Sequence, residues 1–168
     1  MSHDPRGVGH YLGINLFKSN PKKLNSPYYF YQKTDIFMSL GLTQIALLVP
    51  DYDLAINFYC NALGFQMIED TPQSETKRWV VVKPNEDGGC ALLLAKAVGE
   101  QQEAAIGNQS GGRVFLFLHT EKFDFYYQRI IENNLKIVRG PIDEPYGKVI
   151  VFEDIFGNKW DLIGKSSC

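Results

Sequence analysis

The sequence predicts an α+β fold of two tandem β-α-β-β-β modules, and three observations carry that prediction. One element order, a strand, a helix and three further strands, occurs twice between residues 41 and 164. A single offset of 69 residues relates the copies, placing Gln44 on Arg113, Trp79 on Lys148 and Leu92 on Asp161. The same shift carries Phe58 onto Tyr127 and Gly88-Gly89 onto Gly157-Asn158. Shared order at one offset marks an internal repeat even where few identities survive.

Residues 1–40 are expected to be an arm outside the repeat. Up to residue 37 they mix Pro5, Gly7, Gly9, Pro21 and Pro27 with lysines and the run Tyr28-Tyr29-Phe30-Tyr31, and they show neither helical nor strand period. Met38 opens a strand within five residues, so one expectation is a translation start at Met38; the other is a basic, aromatic arm that meets a partner.

The first module, residues 41–99, begins with a strand over residues 43–49. The turn Pro50-Asp51-Tyr52-Asp53 supplies helix-capping acids, residues 54–63 read as a helix, and Gly64 ends it. Strands follow over residues 65–69, 78–83 and 90–95. Residues 96–112 read as a linker with a short helix at 101–106. The second module, residues 111–164, repeats the plan with strands at 113–118, 135–139, 148–152 and 159–163, and a helix at 123–133. Its last two strands form a hairpin around Gly157-Asn158.

Composition narrows the function. The chain has 168 residues, 45% hydrophobic and 13% aromatic, enough to bury one sizeable core. Its formal net charge is −2, without a Lys/Arg-rich run in the repeat, which argues against nucleic acid as a partner. Cys60, Cys90 and Cys168 make neither a CxxC pair nor an even framework, as expected of a reducing cytoplasm. No apolar run approaches a membrane span, and the first residues lack the pattern of an export signal, so a protein that is neither membrane-bound nor exported is expected. The partner that remains is a small organic molecule.

The final hairpin contains the residue on which function turns. Asp161 is a lone carboxylate in an apolar and aromatic strand, and a buried acid costs several kcal/mol unless it is paired, hydrogen-bonded or bound to metal. Alternation places Asp161 with Lys159 and Ile163 on one face, expected to be shared with Arg113, Phe115 and Phe117 as a second set. Gln44, Ala46 and Leu48 form a third such set, and Cys90, Leu92 and Leu94 a fourth.

Residues 41–164 resemble the vicinal oxygen chelate superfamily, which includes glyoxalase I, extradiol dioxygenases and bleomycin- and fosfomycin-resistance proteins. The resemblance rests on Asp53-Leu-Ala-Ile-Asn-Phe-Tyr59 followed by Leu63-Gly64-Phe65, and on Pro145-Tyr146-Gly147, Phe152-Glu153-Asp154 and Gly157-Asn158-Lys-Trp-Asp161-Leu. It implies strands curled into cups and, frequently, a homodimer. It also implies a metal site at four equivalent positions, which the constant offset places at Gln44, Leu92, Arg113 and Asp161. Leu92 has no donor atom and Arg113 is cationic, so a full metal site is not expected. In its place Arg113 and Asp161 would pair in the cup.

The leading expectation is therefore a metal-independent, cofactor-free binder of a small organic molecule. Arg113 would anchor an anion, Trp79, Phe115 and Phe117 would form the apolar wall, and Gln44 and Asp161 would orient the ligand. Tyr146, in a Pro-Tyr-Gly turn, is a candidate rim hydroxyl, and His119 is the candidate catalytic base, each read against a purely structural role. The alternative is a divalent-metal lyase of glyoxalase I type, or an extradiol-type dioxygenase, with Gln44 and Asp161 as ligands and His119 or Glu153 completing the shell. Glu153 and Asp154 are expected to shape the hairpin loop, and Cys90 to be a small buried hydrophobe.

Overall fold

The computed structural model describes residues 41–84 and 89–165, so the expectations for the N-terminal arm and for Gly88 lie outside the described residues. Eight strands and three α-helices follow in chain order: β1 (Gln44–Val49), α1 (Tyr52–Ile56), β2 (Gln66–Pro72), β3 (Arg78–Lys83), β4 (Ala91–Lys96), α2 (Glu100–Ala105), β5 (Val114–Thr120), α3 (Phe123–Glu132), β6 (Ile137–Glu144), β7 (Gly147–Glu153) and β8 (Lys159–Gly164). The strands form two four-stranded sheets of matching topology, β1-β4-β3-β2 and β5-β8-β7-β6. In each, the first and last strands of the module run parallel, β1 beside β4 and β5 beside β8, and the remaining neighbours are antiparallel. No helix among the described residues is long and apolar enough to cross a membrane.

Local chemistry explains the helices. The Asp51 carboxylate accepts from the Asp53 and Leu54 amides at 3.0 and 3.2 Å, capping α1 two residues before the predicted start. The helix then widens into a π-helical turn over Asn57–Ala62, and Gly64, at φ +79°, carries the chain away. Arg129 of α3 donates to the carbonyl of Ala62 at 2.8 Å and to that of Asn61, so the second module caps the open carbonyls of the first module's helix.

One face of each sheet packs into a single core. Ile45, Leu47 and Val49 of β1 meet Val80, Val82, Leu92 and Leu94, and from the second sheet come Ile150, Phe152, Trp160 and Leu162. Tyr59 and Phe65 close the seam between modules, with ring centroids 5.9 and 6.2 Å from Trp160.

The register corrects the constant offset. Ile45 pairs with Leu92 in the first sheet and Leu116 pairs with Trp160 in the second, and all four belong to the core or pack against it. Equivalent residues are thus 71 apart from β1 to β5, 70 apart from β3 to β7 (Val80 to Ile150) and 68 apart from β4 to β8 (Leu92 to Trp160). Leu92 and Asp161 face opposite sides of their sheets, and the counterpart of Asp161 is Leu93. A register shift at Phe115 breaks strict alternation in β5, so Phe115 packs against the core while Phe117 stays on the open face, 58% exposed. β6 runs past its predicted end at Arg139 because two further irregularities absorb Val138 and the Gly140-Pro141 pair.

The module junction is held by the loop between β7 and β8. Asp154, 4% exposed, accepts from Tyr59 Oη at 2.7 Å, Trp160 Nε1 at 3.0 Å, Asn158 Nδ2 at 2.9 Å, and the Phe156 and Asn158 amides at 2.9 Å. Five donors replace the water this carboxylate gave up. The linker passes directly over the same loop: a Cβ on Gly107, at φ +75°, would stand 2.0 Å from the Phe156 carbonyl oxygen.

Asp154→Ala leaves the Tyr59, Asn158 and Trp160 donors unpaired and should lower unfolding free energy by about 3 kcal/mol or more, against about 1 kcal/mol for Tyr59→Phe, as read by urea denaturation. Gly107→Ala should lower the midpoint of the same transition, since backbone must move to admit the methyl group.

Candidate ligand-binding site

The faces turned away from the core each carry a pocket. On the first sheet, Trp79 lies in a broad groove with Leu48, Leu93, Ala95, Arg78 and Gln102. Arg78 is already engaged there, bound to Asp53 at 2.6 Å and to Asp70, with its guanidinium 5.3 Å from the centre of the Tyr52 ring. Those two carboxylates satisfy its charge, so Arg78 braces β2, β3 and α1.

On the second sheet, four residues in register form one row across the strands. Arg139 pairs with Val151, Val151 with Asp161, and Asp161 with Phe117. Residues paired in this way present their side chains to the same face. All four line a pocket of about 470 Å³ together with Arg113 and Lys159. Asp161 is only 9% exposed, and its Oδ1 is buried without a hydrogen-bond partner. Burial pushes its carboxyl above the ordinary value of 3.8, against the opposing pull of Arg139 and His119.

The predicted site residues therefore divide. Arg113, Phe117 and Asp161 share the second-sheet pocket, and Trp79 lies on the other sheet. The expected Arg113–Asp161 pair is not formed: the oxygen of Asp161 is unpartnered, and the guanidinium that acts on it is that of Arg139. Phe115 faces the core. Gln44 is half-buried at the start of β1, and Tyr146, 59% exposed in its turn, lines neither of these two pockets. His119 is exposed on the Phe117 face and lines a separate small cavity with Cys90, beside Phe65 and Pro84. Arg139 was missed because the irregularity at Val138 turns it to the open face, where unbroken alternation would have sent it with Ile137 toward the core, and Val151 because a valine within an apolar strand gives no sign of the face it takes.

One family model extends across both modules. Residues 41–162 match the model of the Glyoxalase/Bleomycin resistance protein/Dioxygenase superfamily, and the chain belongs to that family. An uncharacterized protein of Shewanella frigidimarina is 53% identical over 127 residues, covering 75% of this chain and 94% of that protein. The crystal structure of UcmS2 superposes with TM-score 0.64 at 28% identity, covering 75% of this chain and 98% of that one. TnmS3, an antibiotic-binding protein of Streptomyces sp. CB03234, has TM-score 0.60 at 24% identity, covering 78% of this chain and all of its own.

The metal that the family resemblance implies can be tested against these residues. Corrected for register, the four equivalent positions are Gln44, Leu93, Val114 and Asp161, and only Gln44 and Asp161 carry side-chain donor atoms. No group of three or more His, Cys, Asp or Glu side chains comes together among the described residues. Around Asp161 the charged neighbours in its pocket are Arg113, Arg139 and Lys159. One carboxylate among three cations is a poor shell for a hard divalent ion, which calls for six or more oxygen ligands, so the residues of one chain do not fit that metal.

The raised carboxyl of Asp161 has a signed consequence. A group whose pKa is higher when folded destabilises the fold once it ionises, above its folded pKa, and costs nothing below its unfolded value near 3.8. Asp161→Asn should therefore raise the melting temperature at pH 7, and the gain should vanish as pH falls below that value, as followed by thermal unfolding across a pH series.

Proposed function

We propose that this protein binds a small organic molecule in the pocket on the open face of its second sheet, without a resident metal. The observation that carries the reading is the buried, unpartnered Oδ1 of Asp161 in a pocket walled by Phe117 and Val151. A carboxylate held out of water without a donor is stabilised when a bound molecule supplies one. The antibiotic binding that names TnmS3 supports the reading as a use to which this fold is put. A homodimer belongs to the same proposal: a second copy laid over the open faces would cover Phe117 and deepen both pockets. The free thiols of Cys60 and Cys90 fit work in the cytoplasm.

The test is elemental analysis of untagged protein before and after loading with Ni²⁺, Zn²⁺, Mn²⁺ and Fe²⁺, followed by thermal-shift screening with small aromatic acids. Substoichiometric metal and a ligand-induced rise in Tm that is lost in Phe117→Ala are expected. Stoichiometric metal that disappears in Asp161→Ala would turn the assignment to metal-dependent lyase or dioxygenase chemistry.

A further inference from the structure

The second-sheet pocket specifies more than apolar contact. Its charged lining is three cations and one anion: Arg113, Arg139 and Lys159 against Asp161. Lys159 donates to the Gly112 carbonyl at 2.9 Å, whereas the guanidiniums of Arg113 and Arg139 have no hydrogen-bond or ion-pair partner among the described residues. A ligand that neutralises this excess is an anion. Asp161 alone would favour a cation, but it is outnumbered, and its buried Oδ1 asks only for a hydrogen-bond donor.

Register then sets the spacing between the two demands. Arg139 and Asp161 flank Val151 in one cross-strand row, so their backbones lie two strand spacings, about 10 Å, apart. Val151 forms the floor between them, and Phe117 stands at the Asp161 end. We propose that the pocket takes a flat organic anion, its carboxylate or equivalent acid held by Arg139 and its far end donating an O–H or N–H to Asp161 Oδ1, with the ring lying over Val151 against Phe117. This names a ligand class for the pocket and rests on the binding reading above.

Asp161 would then serve as the selectivity element, since an analogue lacking the far donor leaves a buried carboxylate oxygen unsatisfied. Arg139 is exposed and able to form the two-pronged contact that a planar acid accepts. The arrangement differs from an anchor at Arg113, which precedes β5 and lies outside the row.

Titration of the full chain with 4-hydroxybenzoate, benzoate and phenol, followed by NMR or calorimetry, tests the assignment. Expected is tightest binding for 4-hydroxybenzoate, with benzoate and phenol each weaker by about tenfold, the worth of one charge-assisted hydrogen bond. Arg139→Gln should erase the advantage over phenol. Asp161→Leu, which removes the oxygen while filling its space, should erase the advantage over benzoate, with thermal unfolding verifying that both variants fold. Equal affinities for the three probes, or an Arg139→Gln variant that binds them as wild type does, would overturn the proposed class. Neutral indole separates that failure from a wider one. Indole binding that is lost in Phe117→Ala, without any preference for the acid, would leave the pocket standing and sink the anion assignment; no binding of any of the four would sink both.

Discussion

The Asp154 carboxylate is the constraint on which the module arrangement depends. It is buried where the two halves meet and receives donors from both: Tyr59 from the first module, Asn158, Trp160 and two loop amides from the second. In a low-dielectric interior such a network is strong when complete and costly when broken. Its orientation of Trp160 matters for the site as well, because Trp160 immediately precedes Asp161 in β8. The tryptophan faces the core and the aspartate faces the pocket, so fixing one side chain fixes the register of the other. The same interaction raises the Tyr59 hydroxyl well above its ordinary pKa, through burial and then the neighbouring carboxylate, which keeps it a donor.

The repeat supplies two versions of one surface. Row by row, Phe117, Asp161, Val151 and Arg139 of the second sheet correspond to Ala46, Leu93, Val81 and Glu69 of the first. The scaffold is common and the content has diverged. An acid at one row position in the second module answers to a leucine in the first, and a guanidinium answers to a carboxylate. The first sheet's groove, with Trp79 and an internally neutralised Arg78, is a different chemical environment from the pocket at Asp161.

Much of this was legible in the sequence because module order and apolar runs are coarse features that survive small shifts. The strand–helix–three-strand order, the hairpin, and the oddity of an acid at Asp161 needed no knowledge of register. What failed was any inference that depended on parity. A constant offset of 69 placed Leu92 and Asp161 on one face, and the actual offsets of 68, 70 and 71 come from loops of different length and from irregular strands. One extra residue at Phe115 moved that ring toward the core, and another at Val138 brought Arg139 to the open face. Period-two reasoning has no means of seeing such insertions, since a single slip reverses every later side chain.

The linker side chain Gln109 has a consequence of another kind. Its Oε1 accepts from the Leu48 amide at 2.8 Å and its Nε2 donates to the Leu48 carbonyl at 3.2 Å, mimicking a peptide group beside β1, the outermost strand of its sheet. An outer strand with free amides and carbonyls is a template for unwanted pairing with other chains. By occupying that position with a side chain that also reaches Asn158 at 3.3 Å, the molecule uses its own connector to guard an edge against aggregation.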